Sequence, residues 1–392
     1  MDGSMTGALT PPAYLSSHSR LRIKFTGSGS EYFRIWIVNV LLMLVTLGLY
    51  FPWAKVRRLR YFSGNTLIDG EPLGFHGDPK KMFKGFALVG VLFALYSVAG
   101  KFSSTAGFIA LLIVVALWPA LFKSSLQFRL ANTSWRGLRF NFQGTLKDAY
   151  RANVPLFLPG VLLVGMNLGI ADAGNIPHGL VIAVSVTLLL ALVLTPWLFW
   201  NLKQYQHNHY GLGHLQTQFK ASAGSFYLLF LKVFGFSLLV IVVAMMAVAG
   251  IIFGSGLSGV GSAMPKGPMV VILSLLGGLA GMAVVLIGIK PYAISRLQNL
   301  VWTQTGNLSL RFVSKISFRS MLWLTLKNWL LVVLTLGLYW PFAAVALARM
   351  RLEAVSVKTN INLERLVVHI RADDGDAAGD AAGDFFGLDI GL

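Results

Sequence analysis

His207, His209 and His214 form the array H-x-H-x-x-x-x-H. Two histidines two apart on a strand point to one side, and with a third ligand they could hold Zn2+ or Ni2+. No acid or thiol accompanies them, and Gly211 and Gly213 make the stretch a polar turn, so no metal is assigned. The carboxylates argue the same way. Of fifteen acids, six (Asp373, Asp374, Asp376, Asp380, Asp384 and Asp389) fall in the terminal tail, and none lies inside an apolar segment. Acid–base pairs, proton relays and carboxylate cation sites are therefore unsupported. The absence of cysteine excludes disulfides, thiolate metal centres and thiol nucleophiles. Gly254-Ser255-Gly256-Leu257-Ser258-Gly259 neither follows a strand nor opens a helix with a lysine, so it is not a phosphate loop. These residues read as a protein that is not an enzyme and needs no cofactor.

The remaining polar candidates sit in apolar surroundings. Asn39 lies in the first apolar segment, and Lys327 and Asn328 lie in the last. Such groups are costly in hydrocarbon and hint at a pathway or a buried partner, although Lys327 stands only ~9 Å along a helix from its segment's start and can snorkel. The same two segments share a motif: Leu44-Val45-Thr46-Leu47-Gly48-Leu49-Tyr50-Phe51-Pro52-Trp53-Ala54 returns as Val333-Leu334-Thr335-Leu336-Gly337-Leu338-Tyr339-Trp340-Pro341-Phe342-Ala343. Gly48 and Gly337, with Pro52 and Pro341, are candidate breaks or gates. Trp53, Lys55, Arg57, Arg58, Arg60 and Arg349 follow them as candidate ligands for anionic lipid headgroups. The second copy has no counterparts to Lys55, Arg57 and Arg58, which weakens that role there.

These residues require a membrane scaffold. Of 392 residues, 55% are hydrophobic and 12% charged, and the mean hydropathy is +0.68. Apolar segments run over Phe33–Trp53, Phe83–Ala99, Phe108–Phe122, Val154–Ile170, Leu180–Trp200, Phe226–Ile252, Met269–Ile289 and Met321–Val345. Several approach the ~20 residues that cross a bilayer, so the fold class is a polytopic α-helical membrane protein with six to eight transmembrane segments. The first thirty residues lack an apolar core and predict no cleavable signal peptide. The net charge of +18 fits topology and anionic lipid better than nucleic acid.

Basic residues concentrate in alternate connections, which should face the cytoplasm. Eight crossings would strand the basic first and last stretches outside; re-entrant end segments turning at Gly48 and Gly337 would bring them inside. Both arrangements stay open at this stage. Within the connections Pro52, Pro119 and Pro196 precede Phe75, Phe142 and Phe219 by 23 positions, and Pro291 precedes Phe312 by 21. This spacing predicts internal repeats. Alternation around Asp69-Gly70 and Trp135-Arg136-Gly137 predicts short β-hairpins that pair into a small cytoplasmic sheet, with Leu21–Gly27 and Leu366–Arg371 as further strands. The organisation expected is a cytoplasmic-type segment 1–32, a repeat-built membrane domain 33–347, a basic strand-like segment 348–371 and an acidic flexible tail 372–392.

Leu47-Gly48-Leu49-Tyr50 with Pro52-Trp53, the basic run to Arg60, Asn65-Thr66, Phe75-His76-Gly77 and Leu388-Asp389-Ile390-Gly391-Leu392 together resemble the YjgN family over nearly the whole chain. The resemblance implies a multi-pass protein of the bacterial inner membrane in a family described by a domain of unknown function, with no catalytic residues to carry over. Two functions follow as expectations. One is transport or permeation with the glycine breaks as gate; the other is a non-catalytic scaffold that binds anionic lipid or a partner.

Overall fold

The computed structural model describes residues 15–168, 177–213, 215–254, 277–278 and 281–361. The predicted strand at 366–371, the acidic tail and His214 lie outside these residues. In chain order the elements are β1 Leu15–Phe25, α1 Gly29–Val45, α2 Phe51–Gly64, β2 Thr66–Ile68, β3 Glu71–Phe75, α3 Pro79–Phe102, α4 Ser104–Ala131, β4 Thr133–Trp135, β5 Leu138–Phe142, α5 Leu146–Leu168 and α6 His178–Asn208. They continue with β6 Tyr210–Leu212, β7 Leu215–Gln216, β8 Gln218–Phe219, α7 Ala223–Gly254, a π-helical turn Val284–Ile289, α8 Lys290–Thr303, β9 Thr305–Gly306, β10 Leu310–Ser314, α9 Phe318–Leu334, α10 Trp340–Glu353 and β11 Val355–Ile361.

The strands form one antiparallel sheet in the order β7-β6-β5-β4-β3-β2-β1-β11-β10-β9-β8. Its two ends belong to one continuous stretch of chain. β7 pairs with β6 through Gly211↔Gln216, the Thr217 N–H donates to the Tyr210 carbonyl at 2.8 Å, and β8 pairs with β9 through Gln218↔Gly306. Residues 215–219 thus close the sheet into a barrel, which leaves no exposed edge. Two hairpin turns have the backbone that a two-residue loop demands: Asp69 and Gly70 at φ 55° and 83°, Arg136 and Gly137 at φ 49° and 82°.

Every barrel strand hands the chain to or from a helix, and the junction is a fixed piece of packing. Phe25, Phe75, Phe142 and Phe219 end their strands buried, each in its own apolar cluster beneath the helices. After the first three of these the residue two on is a glycine in close approach: a Cβ at Gly77 would meet the Phe75 ring at 2.6 Å, and one at Gly144 the Phe142 ring at 2.5 Å, whereas Ala221 follows Phe219. On the incoming side, Pro52, Pro119, Pro196, Pro291 and Pro341 are all buried. The basic stretches that follow them are helical, continuing α4 and α6 for several turns and forming α2, α8 and α10. The segment expected as strand-like from 348 is accordingly helix to Glu353 and strand only from Val355, while the N-terminal segment expected to end at 32 already starts α1 at Gly29.

Five helices, Pro79–Phe102, Ser104–Ala131, Leu146–Leu168, His178–Asn208 and Ala223–Met246, are long and apolar enough to cross a membrane. The first and last apolar segments are not single helices. Each breaks into two, with α1 and α9 only 17 residues or ~25 Å long. At the first break the Gly48 N–H donates to Met43 O and Leu47 N–H to Leu44 O, a helix stop built on two left-handed residues, Leu47 at φ 51° and Gly48 at φ 89°. The second break repeats it bond for bond: Gly337 N–H to Val332 O, Leu336 N–H to Val333 O, and Thr335 Oγ1 donating to Leu331 O as Thr46 Oγ1 does to Leu42 O. Leucine in this conformation is strained by ~1 kcal/mol or more; glycine is not. Gly48→Ala combined with Gly337→Ala should lower the thermal unfolding midpoint of the purified protein, at about 1 kcal/mol per site, with helical content unchanged by circular dichroism.

Candidate functional site

Barrel strands and the ends of α4, α8 and α10 together line a cavity of about 590 Å³. Its wall is apolar where strands make it: Leu21, Ile23, Ile68, Trp135, Phe140 and Phe312 point inward from four different hairpins, counting β11 and β1 as one. Leu21, Trp135 and Val357 of this wall also pack with Leu138 in one buried cluster. Polar groups enter chiefly from the helix ends, as Arg129 of α4, Gln298 of α8 and Arg351 of α10. Arg351 Nε donates to Gln298 Oε1 at 2.7 Å, and Gln298 Nε2 returns a bond to the Arg351 carbonyl at 2.8 Å, which fixes the guanidinium at the mouth. Lys203 of α6 lies within electrostatic reach of both arginines, its Nζ donating to Gln206 Oε1 at 2.8 Å.

Among the described residues no carboxylate pairs with Arg129, Lys203 or Arg351; glutamine oxygens are their polar partners where they have any. Partial desolvation lowers the Arg351 pKa from its ordinary value, which still leaves a cation, and burial raises that of Tyr210, which keeps the phenol neutral. Arg129 and Arg351 share one cavity without counter-charge, Lys203 lies near both with its pKa lowered chiefly by burial, and an anion relieves the repulsion among them. In the sequence these three stand only among the basic residues of the connections. A signal was available: Lys203 and Gln298 lie seven residues after Pro196 and Pro291, and Arg129, Gln206 and Arg351 lie ten after Pro119, Pro196 and Pro341, positions that share one helix face.

The residues singled out from sequence lie elsewhere. Gly48 and Gly337 sit at the tips of the short hairpins, with no atom within 4 Å of where a Cβ would stand. Pro52 and Pro341 open α2 and α10. Trp53 stacks on Tyr50, Lys55 lies over the Phe51 ring, Arg57 over Tyr50 and Arg58 over Phe62. Arg60 and Arg349 have equivalent structural bonds, to Gly77 O at 3.1 Å and Gly27 O at 2.7 Å, tying α2 and α10 to the glycines beside the strand ends. Asn39 and Asn328 are likewise equivalent and buried. Each amide reaches across its short hairpin at 3.5 Å, to Ala54 O and Ala343 O, and each Oδ1 lacks a partner. Lys327 is exposed on the outer face of α9.

The histidines do not converge. Thr305 Oγ1 donates to Val301 O at 2.7 Å, so at 3.0 Å it accepts from His207 Nδ1–H, and the His207 carbonyl accepts from Thr217 Oγ1 at 2.6 Å. His207 therefore pins the seam where residues 215–219 close the barrel. His209 bonds instead to the Tyr205 carbonyl at 2.7 Å. No cluster of metal ligands exists among the described residues.

The family model described as "Bacterial protein of unknown function (DUF898)" matches residues 20–385. The chain belongs to the DUF898 family. Its relatives include the inner membrane protein YjgN of Salmonella typhimurium strain LT2, 26% identical over 340 residues that cover 82% of this chain and 84% of that one. YjgN of Escherichia coli O157:H7 is 30% identical over 145 residues, 36% of this chain and 35% of the other, and YjgN of strain K12 is 30% identical over 143 residues with the same coverage. No solved structure matches. This DUF898 protein is thus a helical protein of the bacterial inner membrane, as the resemblance implied.

Proposed function

We propose that this DUF898 protein is a non-catalytic membrane protein of the transport or permeation class that receives an anion at the cationic mouth of its barrel. The observation that carries the reading is the meeting of Arg129 and Arg351 on one cavity, with Lys203 nearby and no carboxylate partner among the described residues. The reading sets the anion at the barrel and not at the glycine breaks, whose tips are exposed. Inorganic phosphate should raise the melting temperature of the purified protein, and Arg129→Gln with Arg351→Gln should remove that shift while leaving the ligand-free melting temperature unchanged or higher. An equal shift in both proteins, or none in the wild type, would count against the reading.

The arrangement in the membrane belongs to the same proposal. The chain is a ring of repeated units, in which a helical hairpin alternates with a strand hairpin, and the barrel lies on the cytoplasmic side. Helices α3 to α7 cross the membrane and a sixth crossing ends at α8, which belongs to the barrel end, while α1–α2 and α9–α10 re-enter. Support comes from basic residues such as Lys80, Arg139, Lys220 and Arg311, which lie in barrel strands or within a few residues of them, as positive-inside orientation requires. A single cysteine in place of Lys101 should react with an impermeant maleimide in intact cells, and one in place of Glu71, at a barrel hairpin, should react only after lysis. Reaction at Glu71→Cys in intact cells would invert the arrangement.

A second reading, a scaffold that binds anionic lipid, draws on the exposed Arg57 and Arg58 beside aromatic rings. It predicts salt-sensitive binding to anionic liposomes that Arg57→Gln and Arg58→Gln abolish.

A further inference from the structure

We infer that the ligand of this cavity is a single-chain anionic amphiphile, with its hydrocarbon chain inside the barrel and its headgroup on Arg129 and Arg351. The inference rests on the anion reading above and names the class of molecule that fills the rest of the site. An inorganic anion would neutralise the mouth and leave the strand-lined part of the 590 Å³ cavity empty. An uncharged apolar molecule would fill that part and leave two guanidinium groups uncompensated. The volume lies within the range of ~300–1,000 Å³ that ligand sites occupy, and a small barrel of this kind has room for one ligand.

The cationic and the apolar parts of the lining come from different elements. Arg129, Gln298 and Arg351 come from helices; Ile68, Trp135 and Phe140 come from strands. The Trp135 indole N–H is already satisfied by the Ile68 carbonyl at 3.2 Å, so the ring offers the cavity a wall without a polar demand. Water has few partners in such a space, and an apolar cavity stays dry until an apolar group enters it. Both arginines come from the helices that line the cavity, so the headgroup sits on that side and the chain lies against the strands.

The test uses the full-length protein in nanodiscs and palmitate carrying a mid-chain diazirine. After irradiation, adducts should map by peptide mass spectrometry to Ile68, Trp135 or Phe140 as well as to lipid-facing helices. Arg129→Gln with Arg351→Gln should cut the barrel adducts roughly tenfold or more and leave the helix adducts unchanged, since removing a desolvated charge partner weakens binding at least that much. The corresponding diazirine hexadecanol should give few barrel adducts. A second variant, Leu212→Trp, places bulk in the cavity and should remove the barrel adducts while keeping the phosphate-induced rise in melting temperature. Adducts on lipid-facing helices alone would overturn the inference, as would equal labelling by the alcohol. If phosphate still stabilises the protein in that case, the anion reading stands without the amphiphile; if phosphate has no effect either, both fall.

Discussion

Aspartate at both Leu47 and Leu336 should unseat the two short helical hairpins and lower the stability of the protein in a bilayer by about 5–7 kcal/mol, taking ~2.5–3.5 kcal/mol per charge buried in hydrocarbon. These leucines are 93% and 95% exposed, and Leu44, Val45 and Leu334 around them are exposed as well. A turn that projects so much apolar surface suits a tip surrounded by lipid tails, with its N–H groups satisfied inside the motif. The sign of the effect decides the matter. Both leucines hold left-handed backbone, at φ 51° and 49°, a conformation that aspartate tolerates better than leucine. In water the substitution would therefore be neutral or stabilising. Thermal unfolding in nanodiscs, with Leu47→Gly and Leu336→Gly as the uncharged control, separates the cases: a double aspartate variant as stable as the wild type would mean that the tips reach water and that the end segments do not re-enter.

Trp135→Ala should be the most damaging single truncation inside the barrel, at about 3–5 kcal/mol. The side chain is 3% exposed, packs against Leu21, Leu138 and Val357 from three other strands, and carries Arg136 stacked at 4.9 Å from its ring centre. Its indole also holds the neighbouring hairpin through the Ile68 carbonyl. The loss should appear as a lower melting temperature together with protease cleavage near Asp69–Gly70 and Arg136–Gly137, while Trp135→Phe should recover part of the stability. A melting temperature unchanged within error would show that the barrel interior is not a load of packed side chains on which the fold depends.

Much of the local structure was readable because it rests on near neighbours in the chain. Asp69-Gly70 announces its turn through residue types that accept positive φ and Arg136-Gly137 through its glycine, and both pairs have positive φ. The spacing from Pro52, Pro119 and Pro196 to the phenylalanine that ends the next strand spans one complete helix end and hairpin, so it survives even where the intervening residues differ. The eleven-residue motif repeated around Gly48 and Gly337 encodes the same set of turn hydrogen bonds twice. What stayed hidden depends on contacts between distant segments. The strands are mostly two to five residues long, too short to declare their partners, and nothing local says that residues 215–219 serve two neighbours at once. Arg60 and Arg349 read as headgroup ligands because their carbonyl partners, Gly77 and Gly27, cannot be seen from their own helices. Arg129, Lys203 and Arg351 read as three ordinary topology signals, since only the ring brings them to one place.

Closure of the barrel also sets an order of assembly. β1 is synthesised before every helix and β11 after all the described ones, yet the two lie side by side, with Leu21 opposite Val357. Until Val355–Ile361 leaves the ribosome, β1 and β10 each keep an edge of unpaired N–H and C=O groups, and the hairpins between them form an open ribbon rather than a barrel. A chain that stalls in α10 therefore presents two sticky edges on the side where proteases and chaperones work, if the barrel is cytoplasmic as proposed. Arrival of β11, the last of the described strands, removes both edges at once, so a chain cut short of it differs from a longer one by the edges it exposes.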